Sequence, residues 1–550
     1  MRGPFPPVAP LTALATAVLL LSLNACGGGT AMGTPPTVVP PLGITTTSLP
    51  PGIADTVYAG VTLQATGGVP PYTWAVTTGT LPSGLTLNGA TAAISGTVAT
   101  AGVSSFAVIV TDSERPTAKT ATASLSITIT PRAQKIEHVI VIFQENRTPD
   151  NLFQDPVLIA RGADIVQSGI NSQGQTIPLS PIDLGNNYDL AHTHGAFVEM
   201  CDLNATTGQC KMDGAPTTPH SAFMYVKPSD IQPYFQMAEQ YTFGDRMFQT
   251  NQGPSFPAHQ FIISGTSAPA VGSTSFAAEN PVGLSGVRGL GCTAPSTVDV
   301  NLIDPSGSES SRVFPCFEHP TLTDELDATG VTWHYYTPSP GSIWTGPNAI
   351  RHICGPNATP PNATACVGSI WMNNVILEET QVLTDISSNK LAQVSWVIPT
   401  GLNSDHPGDT SATGGPSWVA SIVNAIGNSP YWADTAIFIT WDDWGGWYDH
   451  VAPKLINSYE YGFRVPLIVV SPYAKAGYIS HVTHDFGSIL KFIEETFALP
   501  SLGYADAPAD DLSDCFDFNQ TPITFRTINA PLNAAYFLNY RGPRTDPDDD

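Results

Sequence analysis

Charge is what this chain has least of. Only 12 % of its 550 residues are Asp, Glu, Lys or Arg, and the basic ones are scarcest: 21 Lys and Arg against 46 Asp and Glu, a formal net charge of −25. No run of basic residues occurs, and a field of that sign repels polyanions, which excludes nucleic acid as a partner. No Cys-x-x-Cys pair occurs either, which argues against a cysteine-ligated metal. Beyond residue 23 no apolar run reaches the roughly 18 residues that spanning a bilayer needs, so no membrane-crossing helix is expected there.

What is present points to an exported, loop-rich globular chain. Hydrophobic residues at 42 % exclude wholesale disorder, while 48 Gly and 50 Pro leave Ser, Thr, Asn and Gln to carry the surface. The length allows two or three domains. The N-terminus reads as a targeting segment, with Arg2 as the positive start, an apolar stretch from Val8 to Leu23, and Leu23-Asn24-Ala25-Cys26 at the cleavage region. Leu-x-Ala-Cys resembles a bacterial lipobox, which implies that residues 1–26 are a lipoprotein signal peptide and that Cys26 is lipidated. The expected location is the periplasm, the outer membrane or the cell surface, with the membrane as a partner through that anchor. In an oxidising compartment the seven later cysteines should pair by nearness in sequence as Cys201–Cys210, Cys292–Cys316 and Cys354–Cys366, with Cys515 left over.

Residues 27–40 read as a flexible tether. From 41 to 131 short alternating stretches, Val61–Ala65, Phe106–Val110 and Ala123–Thr130, are separated by Gly/Pro turns, the pattern of a small β-sandwich. Gly67-Gly-Val-Pro-Pro-Tyr-Thr-Trp74, Leu81–Leu87 and Ile94-Ser-Gly-Thr97 resemble the Ig-like modules of bacterial surface proteins. The resemblance implies a spacer, with binding of cell-surface material as the alternative.

From Lys135 the pattern changes. Ile136–Phe143 is a continuous apolar run, as in a strand covered on both faces of a parallel sheet. Val331–Tyr336, Ala392–Ile398, Thr435–Thr440 and Val465–Val470 are further strands. Leu322–Ala328, Pro416–Ala425 and Phe486–Phe497 have helical periodicity. Strands alternating with helices indicate a doubly wound α/β sheet over 135–542, followed by an acidic tail at 543–550.

Reactive groups in such sheets collect beyond the carboxyl ends of strands. Two strand ends here are unusually polar, Gln144–Phe153 and Trp441–His450. Asp442 and Asp443 turned to one point would repel each other unless a cation or a proton sat between them. Glu145, with Asn146 as a neutral oxygen donor, would complete a hard, oxygen-rich set suited to one divalent ion: Ca²⁺, Mg²⁺ or Mn²⁺, with Zn²⁺ or Fe also compatible.

Glu145-Asn-Arg-Thr-Pro-Asp-Asn-Leu-Phe153, Gly253-Pro-Ser-Phe-Pro257, Ser404-Asp-His-Pro407 and Asp442-Asp-Trp-Gly-Gly-Trp-Tyr-Asp-His-Val451 together resemble the bacterial phosphoesterase family, from about Lys135 to Phe518. That family includes acid phosphatases and phosphatidylcholine-type phospholipases C. The resemblance implies an alkaline-phosphatase-like α/β core and a metal held by Glu145, Asn146, Ser255, Asp442 and Asp443, with Ser255 also the nucleophile. Pro257 is expected to open a helix through Ile263, whose N-terminus favours an incoming phosphate. His406 is the expected proton donor to the leaving group. His450 is either a further catalytic group or a brace for the aspartate loop. Asp189-Leu-Ala-His-Thr-His194 resembles the family's Asp-x-x-His stretch, which implies a phosphate contact from His192 and a substrate contact from His194. His334, His481 and His484 are expected to be structural or surface groups.

Two departures stand out. The usual Glu-Asn-Arg-Ser-Phe-Asp is Glu-Asn-Arg-Thr-Pro-Asp here, which puts the role of Thr148 in question. Ala258-His259 stands where the family usually has Asn, so His259 becomes a substitute substrate contact. The expected activity is metal-dependent hydrolysis of phosphate esters. Leu-Phe after Asp-Asn resembles the acid-phosphatase branch, and the chain ends without the extra β domains of the larger phospholipases. The reading therefore leans to a phosphomonoesterase. The alternatives are a phospholipase C cleaving head-group phosphodiesters and a non-catalytic surface-binding lipoprotein.

Overall fold

The computed structural model describes residues 39–53, 57–58, 60–98, 102–130, 135–187, 189–282, 290–408, 410–411 and 413–542. The expected leader, Cys26, most of the tether and the acidic tail lie outside the described residues. The chain divides into two units between residues 131 and 132.

In the first unit the long strands Gly102–Thr111 and Thr120–Thr130 pair antiparallel in a four-stranded sheet with Thr73–Gly79 and Gly52–Ile53. A three-stranded sheet is formed by Val61–Thr62, Ala93–Gly96 and Leu85–Leu87. Alternation puts Phe106, Val108 and Val110 inward, where they meet Trp74, Ile94 and Ile127 in one core. This is the small Ig-like sandwich that the alternating pattern implied.

The second unit is built on one eight-stranded sheet: β1 (His138–Gln144), β2 (Thr242–Gly244), β3 (Trp333–Tyr336), β4 (Val375–Ile376), β5 (Val394–Val397), β6 (Thr435–Trp441), β7 (Leu467–Val470) and β8 (Tyr478–Ser480). The order across the sheet is β4-β3-β5-β1-β6-β7-β2-β8. Its centre, β1 with β5 and β6 on either side, is parallel and buried, and every residue of β6 is covered. The sheet is mixed rather than wholly parallel: β7 runs antiparallel to both β6 and β2. The segment from β6 to β7 holds no helix, so the chain turns back directly, and a direct return gives antiparallel pairing.

Four helices matter here: α1 (Ser255–Ser264), α2 (Leu322–Thr329), α3 (Gly414–Gly427) and α4 (Phe486–Phe497). Helix α1 starts two residues before the expected opening at Pro257. Pro254 caps it, and Pro257 sits inside the first turn, where its missing N–H has no intrahelical partner to lose. Among the described residues no helix is long and apolar enough to cross a membrane. The three expected disulfides are present, Cys201–Cys210, Cys292–Cys316 and Cys354–Cys366, and Cys515 is free and buried.

Candidate active site

Gln144 on β1 lies opposite Trp441 on β6, so the next residues, Glu145 and Asp442, leave the sheet side by side. The two exits are stitched together. The Asp442 N–H donates to the Gln144 carbonyl at 3.0 Å and the Arg147 N–H to the Asp443 carbonyl at 3.0 Å. Asp442 Oδ1 accepts from the Asn146 N–H at 3.1 Å and from the Asp443 N–H at 2.7 Å. The bend that turns both aspartates the same way depends on Gly445, at φ +61°. A Cβ there would stand 2.3 Å from the Asn146 carbonyl oxygen.

Helix α1 supplies the third wall. Ser255, its first residue, donates from Oγ to Asp443 Oδ2 at 3.4 Å. One turn on, His259 presents Nε2 to the same pocket, 3.5 Å from Glu145 Oε1 and 4.0 Å from Asp442 Oδ2. Of the five expected metal-site residues, Ser255 contacts Asp443 and Asn146 contacts Asp442, Glu145 lies beside them, and all five are buried.

His192 and His406 join them. His192 Nε2 is 3.4 Å from Asn146 Nδ2, and the rings of His192 and His406 lie 6.2 Å apart. Each donates Nδ1–H to a backbone carbonyl, His192 to Leu190 at 2.8 Å and His406 to Pro407 at 2.9 Å, so each directs Nε2 away from its own loop. His194 opens the next helix, His194–Cys201, and pairs through Nδ1 with Glu309 at 2.6 Å, while its N–H donates to Glu279.

His450 has different company. Its Nδ1 lies 2.7 Å from Asp150 and its Nε2 3.0 Å from Asp164, in an ion network where Arg464 grips Asp449 through two bonds. These are the contacts of a brace between the first and fourth motifs. Thr148 caps the helical turn Pro149–Leu152, accepting from the Asn151 N–H at 3.1 Å and donating to the Tyr448 carbonyl at 2.9 Å. Thr-Pro in place of Ser-Phe is thus a cap followed by a proline at the first helical position. His334 bonds Tyr336, His481 pairs with Asp245, and buried His484 lies between Asp510 and Asp514.

Two further motif residues tie the strand ends together. Arg147 donates twice to the Asp405 carbonyl, while Asp405 Oδ2 accepts from Tyr234 at 2.8 Å and from Trp441 Nε1 at 2.9 Å. This anchors Ser404–Pro407 against β6. Tyr234, Glu279 and Glu309 belong to no motif, and only folding brings them close.

Electrostatics and hydrogen bonding agree about the centre. Burial, and then neighbouring Asp442, holds the Glu145 carboxyl well above its ordinary range, and the same two causes act on Asp443. Burial pushes His192 down, but Asp443 and Asp189 outweigh it and hold the ring up at about 9. Both Glu145 carboxylate oxygens, Asn146 Oδ1, Asp442 Oδ2 and His259 Nε2 are buried without a hydrogen-bond partner. Buried polar atoms are nearly always paired. A cluster of acceptors that lacks donors fits a cation, and the oxygen-rich donor set fits a divalent metal ion. Glu145, His259 and Asp442 each bring a donor atom within 4.8 Å of the others.

A family model described as "Phosphoesterase family" matches residues 136–500. The chain belongs to the phosphoesterase family. Residues 31–130 match a second model, described as "Putative Ig domain". The phosphoesterase chain is 24 % identical over 443 residues to a non-hemolytic phospholipase C of Pseudomonas aeruginosa, covering 70 % of this chain and 57 % of that protein. It is 25 % identical over 447 residues to phospholipase C B of Mycobacterium tuberculosis, covering 70 % of this chain and 78 % of that one. The phosphoesterase thus spans little more than half the length of the Pseudomonas relative. Among solved structures, a protein of the alkaline phosphatase superfamily from Vibrio parahaemolyticus aligns at a TM-score of 0.31 and 10 % identity, over 69 % of this chain and 70 % of that one. That likeness is remote and adds nothing to the sheet order above.

Proposed function

We propose that this phosphoesterase is a metal-dependent hydrolase of phospholipase C type, cleaving phosphodiesters of phospholipid head groups, with Ser255 as nucleophile. One observation carries the reading: Ser255 Oγ, at the start of α1, is bonded to Asp443 beside buried acceptors that have no donor. Glu145, Asn146, Ser255, Asp442 and Asp443 would hold the ion. A divalent ion held there would lower the pKa of the Ser255 hydroxyl and neutralise charge on the phosphoryl oxygens.

The chain's own groups have the remaining work. Asp443 aims the Ser255 hydroxyl, and the α1 N-terminus favours the phosphate anion. His192 stands beside Asn146 as a cationic contact for a phosphoryl oxygen. His406, with Nδ1 held by Pro407, has Nε2 to carry a proton to the departing alcohol. Water then hydrolyses the phosphoseryl intermediate.

The expected lean to a phosphomonoesterase gives way to the diester on two grounds. The relatives reported above are phospholipases C. The buried arginines nearest the site, Arg147 and Arg464, are also engaged elsewhere, by the Asp405 carbonyl and by Asp449. Such a pocket suits the single charge of a diester better than the double charge of a monoester. We further propose export with lipid attachment at Cys26, consistent with three disulfides, and a spacer role for the Ig-like unit.

The test is a rate comparison on phosphatidylcholine and on p-nitrophenyl phosphate, with Ser255→Ala as the control. Faster turnover of the diester, abolished in Ser255→Ala, is expected. Preference for the monoester would return the chain to the phosphatase reading, and full activity in Ser255→Ala would remove the nucleophile.

A further inference from the structure

His259 lies in the right place for a role that neither its motif nor the expected substrate contact assigns. It stands four residues after Ser255, so both side chains leave α1 on one face and enter one pocket. The ring is fully buried, and its tautomer follows from its neighbour. Tyr335 donates its hydroxyl hydrogen to the Trp344 carbonyl at 2.7 Å. The Tyr335 oxygen, 3.3 Å from His259 Nδ1, is therefore left to accept, and the ring proton sits on Nδ1. Nε2 is then a bare lone pair. It has no hydrogen-bond partner and faces Glu145 Oε1 at 3.5 Å and Asp442 Oδ2 at 4.0 Å.

A lone pair aimed at two carboxylate oxygens is repulsive unless a proton or a metal ion lies between them. The spacing has a natural explanation. Two donors each about 2.0–2.2 Å from one ion stand roughly 3.0–3.5 Å apart, close to the His259–Glu145 separation. The Tyr335 oxygen accepts from the other ring nitrogen, the place that a carboxylate, backbone carbonyl or water takes beside most metal-bound histidines.

We propose that His259 Nε2 is itself a ligand of the ion, beside Glu145 and Asp442, held in its binding tautomer by Tyr335. This nitrogen turns the site toward a borderline transition ion such as Fe²⁺ or Zn²⁺ and away from Ca²⁺ and Mg²⁺, which prefer oxygen; Mn²⁺ serves below only as a paramagnetic probe. The proposal rests on the cation site described under Proposed function.

The test uses the full chain, stripped by chelation and reloaded with Mn²⁺ or Zn²⁺. Bound metal is measured by elemental analysis, ligand nitrogen by pulsed EPR of the Mn²⁺ form, and affinity by competition against a chromophoric chelator. Wild type should bind one ion with a nitrogen coupling. His259→Asn should lose that coupling while still melting cooperatively. Tyr335→Phe should weaken Zn²⁺ binding by roughly 10-fold with the coupling retained, and His259→Asn should weaken it further, with Ca²⁺ affinity little changed in both. One bound ion without nitrogen coupling, or a coupling that persists in His259→Asn, would overturn the role of His259 and leave the cation site standing. No bound ion in wild type would overturn both.

Discussion

The Asn146 N–H donates to Asp442 Oδ1 while Asn146 holds a left-handed backbone at φ +62°. That turn folds the exit of β1 over the exit of β6. Asn is among the few residues besides Gly that adopt it readily, and its side-chain oxygen is one of the partnerless acceptors at the centre. One residue thus serves both the turn and the ion pocket.

The two duties separate by substitution. Asn146→Gly keeps the turn and removes the oxygen. Its Tm should stay within a few degrees of wild type, while kcat/KM falls by at least about 100-fold, or roughly 3 kcal/mol of transition-state stabilisation. Asn146→Val should lose stability as well as activity, because a β-branched residue resists positive φ. Retained activity in Asn146→Gly would remove its side chain from the site.

The metal-free protein should become less stable as pH rises. Folded Glu145 and Asp443 keep protons well above the range where the unfolded chain releases them. The folded state then binds more protons than the unfolded one, so stability falls with rising pH above the ordinary carboxylate values of about 4. Thermal melts of chelated protein should therefore decline as pH rises above about 4. Added divalent ion should raise Tm most at the upper end. Glu145→Gln should flatten the metal-free slope and lose most of the ion's effect, and an unchanged slope would count against this account.

Arg464 holds the brace around His450. Its guanidinium is fully buried, bonded to Asp449 at 2.8 and 2.9 Å and 3.5 Å from Asp150. Arg464→Ala would leave buried carboxylates without their cation, a loss of about 3–5 kcal/mol. A large drop in Tm is expected, with activity falling alongside. An unaltered melting curve would show that the network is dispensable.

Thr148 should matter for stability more than for chemistry. Thr148→Ala removes a helix cap and is expected to cost about 1 kcal/mol. Thr148→Ser should behave like wild type in both Tm and kcat/KM. A loss of activity in the serine variant comparable to Ser255→Ala would place Thr148 in the reaction instead.

Legibility in the sequence followed element length and motif content. The five strands read from apolar runs include the whole buried centre, and Phe486–Phe497 has its expected bounds. Strands β2, β4 and β8 escaped because each has only two or three residues, too few for a period. The direction of β7 was hidden too, since an apolar run carries no sign of orientation. At the site, the motifs supplied Glu145, Ser255 and the aspartate pair, whereas nothing local marked Tyr234 or Tyr335 as partners of Asp405 and His259.

Amino-acid sequence alone determined that oxygen-rich carboxylates stand at two strand ends, because hydrophobic runs end there and like charges demand a counter-ion. Tertiary structure decided which atoms meet. The pairing of Gln144 with Trp441 brought Glu145 beside Asp442, and the approach of Tyr335 turned the bare nitrogen of His259 toward them. Register and side-chain contact depend on residues far apart in the chain, and no local pattern encodes a distance between them.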